Sequence, residues 1–321
     1  MNILAIILPL IVVALLGYIC TKSRWLSREQ LDALSKFTFS ICIPAFLFYQ
    51  MAKADFSEQV SPQLFAAFYL PVLTCYFITY LISYFFYKRE QLNNNGTSAV
   101  KNRAACAVFA LSASYSNNVI IGLPVLLAAL GEQVLGIIFL IVTFHSAMLF
   151  ALTSAIAAKA KSTYGTKKFN YLNFIKQTVN NPLIISILSG LIVNILGITL
   201  PDFLQDSLAL VSKPAITLAL FILGGSLAFY QVRQELTFIS IACFSKLILL
   251  PTLVFLISQY TFNLEPFVVT VLVILSACPT GVNAYLIAAT HQQHQQTVAG
   301  TIVLSTLISL ITIPLWLMFI L

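Results

Sequence analysis

The stretch Leu111–Leu126, LSASYSNNVIIGLPVL, places three serines, two asparagines, a glycine and a proline within an apolar run. A second stretch, Leu275–Asn283, LSACPTGVN, begins 164 residues later and also opens on Leu-Ser-Ala before breaking into small and polar residues. The chemistry such residues offer is hydrogen bonding without charge. Proline removes a backbone donor and disfavours helix at the residue before it, here Cys278. Glycine tolerates unusual dihedrals. Each interruption of a helix leaves a half-helix N-terminus with unsatisfied N–H groups and a partial positive charge, which suits a small anion. The opposite half-helix ends offer carbonyls to a cation. The residues expected to shape such a site are Asn117, Asn118, Pro279, Thr280, Gly281 and Asn283, with Ser114 and Ser116 as further lining. A single stretch of this kind is better explained by close helix packing; two at equivalent places favour a binding site.

The surrounding elements follow from composition. The 321 residues are 60% hydrophobic and 8% charged, with a mean hydropathy of +0.95, whereas a soluble domain carries about 25% charged residues. Apolar runs long enough to cross a ~30 Å hydrocarbon layer are expected at 3–20, 34–52, 64–87, 104–130, 134–158, 182–198, 206–229, 237–260, 267–290 and 298–321. Continuous runs select helices over barrel strands. The first run is followed, not preceded, by Lys22, Arg24 and Arg28, so it reads as a retained helix rather than a cleaved leader. The polar breaks fall in the fourth and ninth runs, the fourth of each set of five. The expected architecture is therefore an all-α polytopic membrane protein of ten helices in two inverted repeats, 1–160 and 161–321, with broken crossover helices 4 and 9. Paired interrupted helices in inverted repeats point to a transporter's midplane site.

The net charge of +7 is orientation signal. Basic residues gather at 22–28, 88–103, 159–176 and Arg233, while the intervening loops carry Lys53 with Asp55, Glu58, Glu132, Asp202, Asp206 and Glu265. That alternation places both termini outside the cytoplasmic membrane and argues against a nucleic-acid partner. No Asp or Glu lies deep in any run, which weighs against carboxylate-driven cation antiport. His145, in FLIVTFHSAMLF, is an ionisable residue near mid-span and either lines the site or bonds a neighbouring helix. Lys246 lies ~13 Å into the eighth run and either snorkels to the surface or holds charge within the bundle. The six cysteines stand singly and the His291/His294 spacing in HQQHQQ is a poor metal signal, so neither metal nor other cofactor is expected. An intramembrane protease is a rival reading, with Ser226 of LGGSLA and His145, but their depths match poorly.

ILPLIVVALLGYICTKSRWLSREQLDALSKFTFSICIPAFLF resembles the opening of the auxin efflux carrier family, whose bacterial members are often described as malonate- or malate-type permeases. NNVIIGLPVLLAALG, KLILLPTLV and CPTGVNAYLIAATH resemble its later segments in order and spacing, so the resemblance covers essentially the whole chain. Plant auxin exporters carry a Pro-Asn pair at the first crossover; here Asn117 matches the Asn and Ser116 stands in the proline position. Pro279 keeps the second proline. The resemblance implies a scaffold of helices 1, 2, 6 and 7, often dimeric, and a moving transport unit of helices 3–5 and 8–10. It implies elevator-like carriage of a small organic anion, a mono- or dicarboxylate or auxin-like acid, held by backbone N–H groups and oriented by the asparagines. The alternative is a Na+- or H+-coupled carrier of the related bile-acid-symporter-like fold.

Overall fold

The computed structural model describes residues 3–53, 61–93, 99–162, 182–229 and 235–321. Among them the regular elements are helices: α1 (Ile3–Lys22), α2 (Arg28–Phe37), α3 (Ile43–Lys53), α4 (Pro62–Asn93), α5 (Ala99–Ser114), α6 (Leu123–Leu130), α7 (Leu135–Ser162), α8 (Pro182–Ile195), α9 (Asp202–Ser212), α10 (Ala215–Leu227), α11 (Leu236–Phe244), α12 (Leu250–Leu256), α13 (Pro266–Ala277), α14 (Asn283–His291) and α15 (Gln295–Ile320). Among the described residues six helical stretches are long and apolar enough to cross a bilayer: Arg28–Lys53, Pro62–Arg89, Glu132–Ala157, Asp202–Leu227, Leu236–Thr261 and Gln295–Ile320. Shorter apolar helices cover Leu8–Lys22, Arg103–Ser114, Asn118–Leu130, Ile185–Ile195 and Pro266–Ala277. The protein is an all-helical polytopic membrane protein. The fourth and ninth expected runs are each split in two, as their polar residues anticipate. Of the loop charges behind the expected orientation, Asp55, Glu58, Lys167, Lys168, Lys176 and Arg233 lie outside the described residues.

Three prolines shape their spans without ending them. π-helical turns at Thr38–Cys42, Asn118–Gly122 and Ser245–Leu249 each precede a proline (Pro44, Pro124, Pro251) by two residues. A proline cannot donate to the carbonyl four residues back and its ring crowds that oxygen; a widened turn accommodates both effects. At Pro251 the abandoned carbonyl is that of Leu247, and the indole Nε1 of Trp316 donates to it at 3.0 Å.

Two compact units are each assembled from separate stretches of chain. The first comprises Met1–Val60, Val119–Thr143 and Leu172–Tyr230. Within it α1 packs on α10 at glycines: a Cβ on Gly17 would lie 1.9 Å from the Phe221 carbonyl oxygen, and one on Gly224 would lie 1.7 Å from that of Ala14. Only glycine permits such backbone approach, the usual device for helix association in lipid. Gly225 is similarly confined by Leu31 and Thr21. The GGS motif that could have posed as a nucleophile site is thus a packing seam. The α2 N-terminus is closed by a capping box in which Ser27 and Gln30 exchange hydrogen bonds of 2.9 and 3.2 Å.

The second unit comprises Ser61–Asn118, Phe144–Tyr171 and Gln231–Leu321. Here α4 lies along α5, and the buried Tyr76 hydroxyl donates to Ala107 O (3.2 Å) and meets Thr153 Oγ1 at 3.0 Å. At one end of this unit the helix starts of α11 and α15 meet through Glu235 and His294, both with positive φ. His294 Nδ1 lies 3.2 Å from Glu235 Oε2, its Nε2 lies 2.7 Å from the Tyr87 hydroxyl, and Thr297 Oγ1 donates to Glu235. The hydrogen bond from His294, with that from Thr297, holds the Glu235 carboxyl below its ordinary value of 4.5. A lowered folded-state value stabilises the protein above the unfolded value and loses that contribution as pH falls through the folded one. Between about pH 5 and pH 3 the wild-type melting temperature is therefore expected to drop more than that of Glu235→Gln. Equal acid slopes in thermal denaturation would show that the cluster does not couple to stability.

Candidate functional site

The interruptions of α5 and α13 lie in the second unit and form a single structure. Cys278 has φ −58° and ψ 146°, the extended conformation imposed on a residue before proline. Ser116 and Thr280 pair as an isolated antiparallel bridge: Asn117 N–H donates to Pro279 O at 2.9 Å and Gly281 N–H donates to Tyr115 O at 3.0 Å. Two unwound stretches from distant parts of the sequence thus satisfy each other.

Each break frees helical carbonyls, and these can be followed individually because a buried backbone group must find a partner. The usual partner of Ser112 O would be Ser116 N–H, which instead donates to His145 Nε2 at 3.0 Å; Thr280 Oγ1 takes the Ser112 carbonyl at 2.7 Å. Ala113 O, deprived of Asn117 N–H, is met by Cys75 Sγ at 3.6 Å. Ser276 O would receive Thr280 N–H, but that group donates to Ser305 Oγ at 3.1 Å. Ser276 O is taken by the ammonium of Lys246 at 2.5 Å. Lys246 is fully buried at the π turn of its span and no carboxylate pairs with it among the described residues. Of the two expectations for this residue, the position inside the bundle is the observed one.

Close packing fixes the geometry. A Cβ on Gly281 would fall 2.4 Å from Cε1 of Tyr115, so glycine is needed here for space. The Tyr115 ring stacks on His145 at 5.2 Å with an interplanar angle of 12°, and its hydroxyl pairs with Ser146 Oγ at 2.8 Å. Phe68 closes edge-on against the imidazole at 5.6 Å. His145 therefore bonds a neighbouring broken helix, and a nitrogen that accepts from Ser116 N–H requires a neutral ring. This bond also shows what serine changes at a position where a proline would have no N–H to satisfy.

Of the residues singled out from sequence, Ser116, Asn117, Asn118, His145, Pro279, Thr280 and Gly281 converge, with Asn283 starting α14 beside Tyr115. Ser114 Oγ donates to Ala110 O at 2.8 Å within its own helix. The N–H groups of Ser116, Asn117, Thr280 and Gly281 are all engaged by protein acceptors, and the Thr280 hydroxyl is spent on Ser112. What is left over is side-chain chemistry: Ser116 Oγ, Asn117 Nδ2, both Asn118 Nδ2 and Oδ1, and His145 Nδ1 are buried without a hydrogen-bond partner among the described residues. Partnerless buried polar atoms each cost about 1–3 kcal/mol, so their concentration at one place is a mark of function. Ser305, Cys75 and Lys246 support the crossing and were not singled out as site residues; the available signal was only that each is polar within an apolar run. No group of three or more metal-ligating residues exists among the described residues.

The family model described as "Membrane transport protein" matches residues 2–317. The chain is similar to the "Uncharacterized transporter YfdV" of Escherichia coli strain K12, 25% identical over 315 residues that cover 97% of this chain and 95% of that protein. It is equally similar to a "Putative malonate transporter" of Rhizobium meliloti, 25% identical over 312 residues covering 97% and 94%. An "Uncharacterized transporter" of Methanothermobacter thermautotrophicus is 22% identical over 311 residues covering 97% and 96%.

Proposed function

The chain belongs to the auxin efflux carrier family of membrane transport proteins, and on that premise we propose that it carries a small organic anion, a mono- or dicarboxylate, across the cytoplasmic membrane. A membrane transporter and not an enzyme is what the family makes it. The observation that carries the anion reading is the pair of adjacent amides, Asn117 and Asn118, 5% and 4% exposed, whose Nδ2 groups are buried donors with no acceptor. A carboxylate supplies two oxygens to such donors, and hydrogen bonds to a charged acceptor contribute about 1.5–3 kcal/mol each. With the N–H groups of Ser116, Asn117, Thr280 and Gly281 engaged by the protein, the amides and the His145 Nδ1–H take the ligand-holding role. Pro279, Thr280, Gly281 and Tyr115 set the frame, and Asn283 and Ser116 line it.

The larger motion belongs to the same proposal. Ten helices in two inverted repeats would bring the fourth and ninth spans to one depth. Spans 3–5 and 8–10 would carry the crossing in an elevator-like step, with spans 1, 2, 6 and 7 as a scaffold able to dimerise. Both termini would lie outside. The experiment is a thermal-shift panel of choline salts of mono- and dicarboxylates, amino acids and, separately, sodium, on the purified protein in lipid nanodiscs. Saturable stabilisation by one or more carboxylates is expected; stabilisation by sodium alone would sink the anion reading.

A further inference from the structure

The ammonium of Lys246 has a place in the crossing that the anion reading does not use. It sits at the last turn of α13, where the Ser276 carbonyl has lost its helical donor and where the helix dipole presents its negative end. Half-helix carbonyl ends of this kind are where cation-coupled carriers bind their ion. A buried charge is costly unless it is paired or closely hydrogen-bonded, yet no acidic residue pairs with Lys246 among the described residues. The hydrogen-bond partner of the ammonium is a neutral carbonyl, that of Ser276; Cys75 Sγ donates to the Ser245 carbonyl next to Lys246 in the chain, and Cys278 caps the end of α13. A bare cation kept in such surroundings has a role in which its charge is the point.

We propose that Lys246 is a resident cation of the crossing: its ammonium fills the carbonyl end of α13 where a coupling ion would bind, so that the protein holds its anion without sodium. The inference rests on the anion reading above and deepens it. It also states the electrical character of the site. With no acid in the second unit's spans, Lys246 gives the crossing a positive charge that favours an anion.

The test uses full-length protein in nanodiscs and four forms: wild type, Lys246→Arg, Lys246→Met and Lys246→Ala. The probe is malonate as its choline salt, with choline chloride exchanged for sodium chloride at constant ionic strength. Wild type is expected to melt at the same temperature and bind malonate equally in either salt. Lys246→Arg should bind within about threefold of wild type, while Lys246→Met, of similar volume but uncharged, should bind on the order of tenfold more weakly. Lys246→Ala should melt lower and recover when ethylammonium or sodium replaces choline, which a role in packing alone would not produce. A sodium requirement in the wild type, unaltered malonate binding by Lys246→Met, or indifference of Lys246→Ala to ethylammonium would each overturn the proposal. Should wild type respond to no carboxylate, the substrate reading fails by itself, and the ethylammonium arm still decides the fate of the resident cation. If Lys246→Ala does not fold, the sodium dependence of the wild type decides it.

Discussion

Asn118→Leu is expected to abolish anion uptake in proteoliposomes while leaving the protein at least as thermally stable as the wild type. Both amide atoms of Asn118 are buried and have no hydrogen-bond partner among the described residues, so folding bears their desolvation, about 1–3 kcal/mol for such a group. Leucine has the same branched heavy-atom skeleton as asparagine and removes that cost, and replacement of polar groups by apolar ones of the same shape is nearly neutral or stabilising. The same change deletes the donor assigned to the carboxylate. Loss of function with retained or raised stability is the signature of a residue kept for its ligand. If uptake persists, Asn118 does not hold the anion. If uptake is lost but the melting temperature falls by several degrees, the amide has a structural partner and the functional reading of its orphaned atoms is wrong.

Gly224→Val is expected to have the largest effect on stability. Its first added carbon would enter the space of the Ala14 carbonyl, 1.7 Å from the oxygen and 2.5 Å from the carbon. Both neighbours are backbone, so no rotamer change relieves the overlap and α1 and α10 must separate. Overpacking within a rigid interior costs about 1–3 kcal/mol and more where the backbone must shift. A loss at or above the top of that range is expected, read as a drop in the temperature at which the purified protein leaves its monodisperse peak in size-exclusion chromatography. Gly17→Val, facing the Phe221 carbonyl at 1.9 Å, should behave alike. A Gly224→Val protein as stable as the wild type would mean that the two helices do not pack at these glycines.

The parts of this architecture that were legible in the sequence are those decided locally. Pro279 dictates an extended Cys278, and the polar cluster at 111–118 cannot continue a helix without disturbance, so both breaks could be located from residue types alone. The apolar runs likewise announce the spans. What could not be read is which partner each freed group finds. Thr280 reaching Ser112, Ser305 receiving the Thr280 N–H, and Lys246 closing Ser276 join residues 168, 25 and 30 positions apart, and no periodicity encodes them. For the same reason the backbone N–H groups looked available for an anion in the sequence, although four of them are already engaged in the fold. The π turns went unforeseen even though a proline two residues downstream accompanies three of them; the spacing was present, but its consequence depends on how the neighbouring helix fills the abandoned carbonyl, as Trp316 does for Leu247. The glycines of LGGSLA carry an ambiguity of another sort, since small residues serve a sharp turn and a tight seam equally well until the facing backbone is known.

The central claim is that the adjacent amides of the first break hold a carboxylate. A cryo-electron-microscopy structure of the protein in nanodiscs, saturated with the carboxylate that stabilises it most, tests this directly. Density within hydrogen-bond distance of Asn117 Nδ2 and Asn118 Nδ2, beside the Ser116–Thr280 bridge, is the expected result. An anion bound elsewhere, with both amides still unpartnered, would contradict it.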